Sequence, residues 1–260
     1  MPRDNFETLP PEGAEKTYAN ITVRRSAGAL GGVVSGVDMA KDLDDAVIAD
    51  IRQALLDYLV IFFEDQSHVT PDQQIAFARR FGELVPYPMI KGLDGYPEIV
   101  PVVKLEHEKE NFGGLWHSDT TYLEQPPLGS ILLARELPPY GGDTLFANMY
   151  KAYETLSAPL REMLDDLTVV QSSGKGQVAA SRKARIEGEG RDAATAPVKI
   201  AEHPAVRTHP ETGRKALYVN SGHSVRFKEL TEEESQPLLD FLFQHLSRPE
   251  FTCRLSWKDG

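Results

Sequence analysis

Five apolar residues in a row, Leu59-Val60-Ile61-Phe62-Phe63, constrain the chain first. A run this short reads as a buried strand, and no apolar run anywhere approaches the roughly 18 residues that a membrane helix needs. Directly before it, Ile48, Ile51, Leu55 and Leu56 recur at helical spacing, and Asp44 or Asp45 is placed to cap a helix running to residue 58. Upstream, segments 21–25 and 32–37 flank Ser26-Ala27-Gly28-Ala29-Leu30-Gly31 and read as strand, turn and strand. Downstream, Thr70 followed by Pro71 is a good N-cap and first-turn pair for a helix carrying Ile75, Phe77, Ala78 and Phe81.

The same reading gives strands at 129–134 and 144–148, helices at 149–156 and 159–167, and a strand at 217–220. A last helix starts at Thr231, with Glu234 at capping-box spacing, and runs to about residue 246. The 260 residues suffice for one enzyme domain with a sizeable core, and the whole of 1–260 reads as a single domain. Residues 1–17 are polar, carry a Pro pair and read as a loose arm. Between 171 and 198 the period is lost among Gly, Ser, Ala, Lys, Arg and Glu, so this segment reads as a mobile surface loop or a lid. The chain closes on Phe251-Thr252-Cys253-Arg254-Leu255 and then Ser256-Trp257-Lys258-Asp259-Gly260, a strand followed by a turn.

Charge narrows the partners. With 28 basic and 39 acidic residues the net charge is -11, opposite to what a duplex-binding surface needs, so no nucleic-acid partner is expected. The N-terminal stretch has no apolar signal-peptide core, and the one cysteine, Cys253, permits no intrachain disulfide. A cytoplasmic protein, not attached to a membrane and assembled as a homo-oligomer, is the expectation.

The sharpest chemical signal is Trp116-His117-Ser118-Asp119. In a strand, residues two apart share a face, so His117 and Asp119 would offer an imidazole and a carboxylate to one ion. That is two-thirds of a 2-His-1-carboxylate set, which leaves open positions on Fe(II). The spacing alone also arises by chance. Its surroundings are more specific: Trp116 through Tyr122, then Pro126-Pro127, then Gly141-Gly142-Asp143-Thr144. To these add Arg79-Arg80-Phe81-Gly82-Glu83-Leu84 and the stretch from His203-Pro204-Ala205-Val206 through His209-Pro210-Glu211-Thr212-Gly213-Arg214.

Taken in order, from about Ile21 to the last residue, these pieces resemble the taurine/2,4-dichlorophenoxyacetate dioxygenase family. The resemblance implies a mainly β fold with flanking helices, a double-stranded β-helix or jelly-roll-like barrel. It implies His117 and Asp119 as metal ligands, with Thr144 donating its hydroxyl to the distal carboxylate of 2-oxoglutarate. Fe(II), 2-oxoglutarate and O2 would be required. A carbon next to a heteroatom of a small organic acid would be hydroxylated, with release of succinate and carbon dioxide. The family pattern continues with a second iron-binding His and an Arg that clamps 2-oxoglutarate, so the chain is expected to lack its C-terminal strands and to be inactive by itself. Among His68, His107, His203, His209, His223 and His245, none stands in the context of that second histidine.

On the substrate side, Tyr87 and Ile90 stand where members acting on taurine carry a His and a Tyr, and Gly113 replaces an Asn. Taurine is therefore not the expected substrate. Lys91 offers a charge to a small anionic organic substrate or is a solvated surface lysine, and His223 falls in a loop bordering the substrate in relatives. The candidate substrates are sulfonates, alkyl sulfates and phenoxyalkanoates. Two other readings stay open: a non-catalytic jelly-roll or cupin-like binding protein, and a metal-dependent hydrolase.

Overall fold

The computed structural model describes residues 16–104, 113–188 and 197–260. His107 and most of the N-terminal arm lie outside the described residues, and Lys16, just inside them, pairs with Asp57.

The first layer follows the sequence closely. Strand β1 (Thr22–Arg25) pairs antiparallel with β2 (Gly32–Ser35), and β2 pairs parallel with β3 (Ile61–Phe63). Helix α1 (Asp45–Tyr58) makes the crossover, burying Ile48, Ile51, Ala54 and Tyr58. It ends on Leu59 in the left-handed region at φ 68°, which turns the chain into β3. Helix α2 (Pro71–Arg79) begins with a capping box in which Thr70 and Gln73 satisfy each other's backbone N–H. Ile21, Val23, Ile51, Val69 and Phe77 form the core beneath these elements.

The second layer starts with β4 (Thr144–Ala147), followed by α3 (Met149–Glu154), α4 (Ala158–Asp165) and β5 (Thr168–Ser172). Helix α5 (Gly176–Gly188) precedes β6 (Ile200–Pro204), β7 (Val206–Thr208), β8 (Lys215–Leu217) and β9 (Ser224–Phe227). Helix α6 (Glu232–Leu246), begun by the Thr231/Glu234 capping box, leads through one 3-10 turn to β10 (Thr252–Leu255). Among the described residues the sheets are β1-β2-β3, β10-β4, β6-β5-β9 and β7-β8. Leu164, Val169, Leu217, Phe227, Leu239 and Leu242 anchor the second core. A small third cluster, with Phe62 against Phe146 at 5.8 Å and Cys253 beside them, joins β3 to the β4–β10 pair.

Three expectations are corrected. Residues 129–134 form no strand among the described residues: no neighbouring strand pairs with them, and Ile131 and Leu132 stay exposed. The strand expected at 217–220 stops at Leu217, because Asn220 turns its polar groups into the interior. The irregular segment expected over 171–198 contains the end of β5 and all 13 residues of α5. His245 is buried in the last turn of α6 between Phe241 and Phe251, with burial holding its pKa below the usual histidine value. Among the described residues no helix is long and apolar enough to cross a membrane.

Candidate functional site

His117 and Asp119 do not lie in a strand. They enter a turn in which Thr120 adopts the left-handed region at φ 50°. The side chains converge all the same, with His117 Nε2 3.2 Å from Asp119 Oδ1. Two donors each about 2.1 Å from a common ion, at right angles to one another, stand about 3.0 Å apart. The observed separation lets both donors reach one ion, and it is also that of a direct hydrogen bond between the two side chains. His117 Nδ1 is 2.7 Å from the Leu115 carbonyl, which only accepts, so Nδ1 carries a proton; Nε2 faces Asp119 Oδ1, donating to it when the ring is protonated and offering a lone pair when the ring is neutral. The other carboxylate oxygen, Asp119 Oδ2, accepts from the Ser130 hydroxyl at 2.6 Å. The side chains remain 34% and 51% exposed, so an ion and its further ligands have access.

The hydrogen bond between the pair dominates their titration. It raises the His117 pKa against the opposing effect of burial, and it lowers that of Asp119, helped by the Ser130 hydroxyl. One imidazole nitrogen and one carboxylate oxygen suit a divalent first-row metal. Among the described residues no group of three His, Cys, Asp or Glu is placed to hold an ion together, so these donors fit such a metal as two ligands of its set.

Gly113 lies against the pair. At φ +76° it takes a conformation that strains other residues, and a Cβ there would stand 3.3 Å from His117 Cε1. His223 is buried, with its ring edge-on to Tyr122 at 5.0 Å and to His117 at 6.5 Å. Burial pushes its pKa down to about 4, which leaves a neutral imidazole at neutral pH. Tyr87 joins through Tyr122, whose hydroxyl donates to the Tyr87 hydroxyl at 3.1 Å. Burial also raises the Tyr122 pKa, so its phenol stays a protonated donor at neutral pH.

Other sequence candidates stand apart. Ile90 is buried. Lys91 is exposed and bonded to Asp94 at 2.6 Å. Thr144 opens β4, where its hydroxyl accepts from the Trp257 indole N–H at 2.9 Å. His203 is structural, with Nε2 between the carbonyls of Thr121 and Leu123, and His209 accepts backbone N–H groups within its own turn. His68 is half-exposed and bonded to Asp38. Sequence reasoning missed Ser130, Trp257 and Arg182. The first two meet their partners only through the fold. Arg182 did leave a local trace, as a charged residue on the inward stripe of α5.

Residues 22–260 match the family described as taurine catabolism dioxygenase TauD, TfdA. An alpha-ketoglutarate-dependent sulfate ester dioxygenase of Pseudomonas putida is 36% identical over 244 residues, covering 92% of this chain and 79% of the relative. An alkylsulfatase of Acinetobacter baylyi is 33% identical over 249 residues, covering 92% and 75%. The crystal structure of a taurine dioxygenase from Burkholderia xenovorans superposes with a TM-score of 0.76 at 37% identity, covering 93% of this chain and 78% of that one. AAD-2 in complex with Mn(II) and N-oxalylglycine superposes with a TM-score of 0.68 at 28% identity, covering 92% and 84%.

Proposed function

We propose that this chain, which belongs to the taurine catabolism dioxygenase TauD, TfdA family, is an Fe(II)- and 2-oxoglutarate-dependent dioxygenase acting on a small anionic organic molecule. The observation that carries the reading is the 3.2 Å approach of His117 Nε2 to Asp119 Oδ1, with Nδ1 tied off on Leu115. The names of the relatives, which include sulfate ester and (S)-phenoxypropionate dioxygenases, favour an enzyme over a non-catalytic binding protein. The proposed substrates are accordingly sulfate esters, sulfonates and phenoxyalkanoates. The proposed architecture is the jelly-roll barrel within one domain, for which the small antiparallel sheets and the contact between β3 and the β4–β10 pair are the support.

In this reading His117 and Asp119 hold the iron, which, with 2-oxoglutarate and oxygen, supplies the oxidation that hydroxylates carbon and releases succinate and carbon dioxide. The chain's own residues prepare it. Leu115 fixes the His117 tautomer, and Ser130 holds Asp119 through the oxygen that does not face His117. Thr144 is the proposed donor to the distal carboxylate of 2-oxoglutarate. Its lone pair is engaged by Trp257, which leaves its own proton free to donate. Tyr87, Tyr122 and the neutral His223 are the proposed wall for the organic substrate. Gly113 keeps the space over His117 open.

The test is metal binding with turnover as its companion. His117→Ala leaves one of the two donors. Its affinity for Mn(II), measured by calorimetry, is expected to fall at least about tenfold, the loss commonly seen even for groups that only support ligands. In the full-length protein, succinate formation with the sulfate ester and phenoxyalkanoate panel should disappear. Unchanged metal affinity in the variant would remove the pair from the metal site.

A further inference from the structure

The inward face of α5 is built at four-residue spacing from Val178, Arg182 and Ile186. Ile186 is 3% exposed and Arg182 5% exposed, so an arginine stands where the stripe calls for an apolar side chain. A guanidinium carries five N–H donors and no acceptor, and burying its charge is costly unless an anion pairs with it. Arg182 has little in return. Its Nη1 donates to the Ser173 carbonyl at 2.5 Å, and the group lies over the Tyr122 ring, 5.3 Å from the centroid. Its Nε has no partner, and among the described residues no Asp or Glu pairs with it. The edge formed by Nε and Nη2 is the one that binds two oxygens side by side.

The surroundings point that unmatched charge at the candidate site. Tyr122, beneath the guanidinium, stands edge-on to His223, and His223 edge-on to His117. The negative group that faces Tyr122 and His223 is Asp119, committed to the metal in the proposed reading. Lys175, which donates to the Ser224 carbonyl at 2.6 Å, adds a second positive charge beside His223, and the acid that acts on it is Asp240. Among the described residues no acid pairs with the Arg182 guanidinium itself.

We propose that Arg182 receives the anionic head of the substrate, a sulfate, sulfonate or carboxylate group, and lays the rest of the molecule across Tyr122 toward His117 and Asp119. The assignment rests on the dioxygenase reading. Lys91, the charge that the sequence singled out, is exposed and held by Asp94, whereas Arg182 is buried beside the site.

The experiment uses hexyl sulfate, hexanesulfonate and hexanoate as probes, with hexanol as the uncharged control. Binding is measured by calorimetry in Mn(II) and 2-oxoglutarate without oxygen. The wild-type protein should bind at least one anion more tightly than hexanol. Arg182→Met should lose at least tenfold of that affinity while binding 2-oxoglutarate as before, and Arg182→Lys, which keeps the charge without the fork, should fall between. The melting temperature of ligand-free Arg182→Met should hold or rise, because an unmatched buried charge is gone. An arginine serving only to dock α5 would instead lower that melting temperature and leave probe affinity alone. If Arg182→Met does not fold, Arg182→Gln, which retains a donor for Ser173, carries the same comparison. Equal probe binding in variant and wild type overturns the assignment and leaves the dioxygenase reading standing. So does a wild-type protein that binds 2-oxoglutarate but none of the three anions. A wild-type protein that binds neither overturns both.

Discussion

Replacing Trp257 by Phe removes a single N–H and keeps the aromatic bulk. The indole reaches Thr144 because β10 pairs with β4 in a register that sets Leu255 opposite Thr144, which places Trp257 two residues beyond the pairing. The 2.9 Å bond fills a lone pair of the Thr144 hydroxyl and turns its proton elsewhere. If that proton meets the distal carboxylate of 2-oxoglutarate, Trp257 acts only through Thr144. A net hydrogen bond contributes about 0.5–1.5 kcal/mol, so losing the orienting bond should raise the Kd for 2-oxoglutarate roughly fivefold. Thr144→Val, which removes the donor to a charged acceptor, should weaken binding by about 1–2 kcal/mol. In the double variant the Trp257→Phe change should add nothing, so the coupling energy should equal the full effect of the single tryptophan change. Calorimetric titration of 2-oxoglutarate into the Mn(II)-loaded protein reads all four corners of the cycle, with melting temperatures as the folding control. Additive losses would show that Trp257 supports the strand pair and not the hydroxyl.

Two further changes test how the site is carried. Asn148 caps α3 by accepting from the Lys151 N–H and donates to the Ala29 carbonyl at 2.7 Å; both ends are buried. Asn148→Ala should cost about 2–4 kcal/mol in urea unfolding, the sum of a lost cap and an orphaned carbonyl, and Asn148→Asp, which keeps the cap, should cost less. His245 has its folded pKa lowered by burial, and Nε2–H donates to the Ala152 carbonyl. The unfolded chain therefore takes the proton first: stability is full above about pH 6.5 and falls as pH drops through the folded value. His245→Gln should flatten the fall in urea midpoint between about pH 7.5 and 5.5, leaving the opposed contributions of His223, whose pKa is lowered, and His117, whose pKa is raised, and an unchanged slope would refute the buried neutral state.

What was legible in the sequence was what is decided locally. Thr70 with Gln73, and Thr231 with Glu234, begin their helices where the capping pattern placed them, because each motif is satisfied within one turn. Helix α1 and strand β3 followed from apolar spacing alone. Helix α5 was missed because Arg182 interrupts the apolar stripe by which such a helix is recognised. Residues 129–134 have strand composition, but a strand exists only where a neighbour offers a ladder. The His-x-Asp spacing picked two side chains that the fold does bring together, but for another reason. The two side chains meet through a turn with a left-handed Thr120, and alternation along a strand plays no part.

A turn without a ladder must be held some other way, and the polar groups behind it show how. On its leading side, the Trp116 carbonyl accepts from the Gly222 N–H and the Ser221 hydroxyl, both at 3.0 Å. Gly222 has to be a glycine for this approach, since a Cβ there would stand 3.0 Å from His117 Cβ. On its trailing side, Thr121 donates to Gln171, and the Thr121 and Leu123 carbonyls share the N–H of His203. Gln171 sits at the irregularity where β5 shifts register against β9, and there it also accepts from Ser224 and donates to the Tyr218 carbonyl. Asn220 closes the set by receiving the His223 N–H. The Thr120 hydroxyl finds no partner, but the other buried polar groups of the set do, and they fix one arrangement, since any displacement strands a donor or acceptor away from water. The His117–Asp119 pair thus inherits its geometry from β5, β6 and the loop before β9.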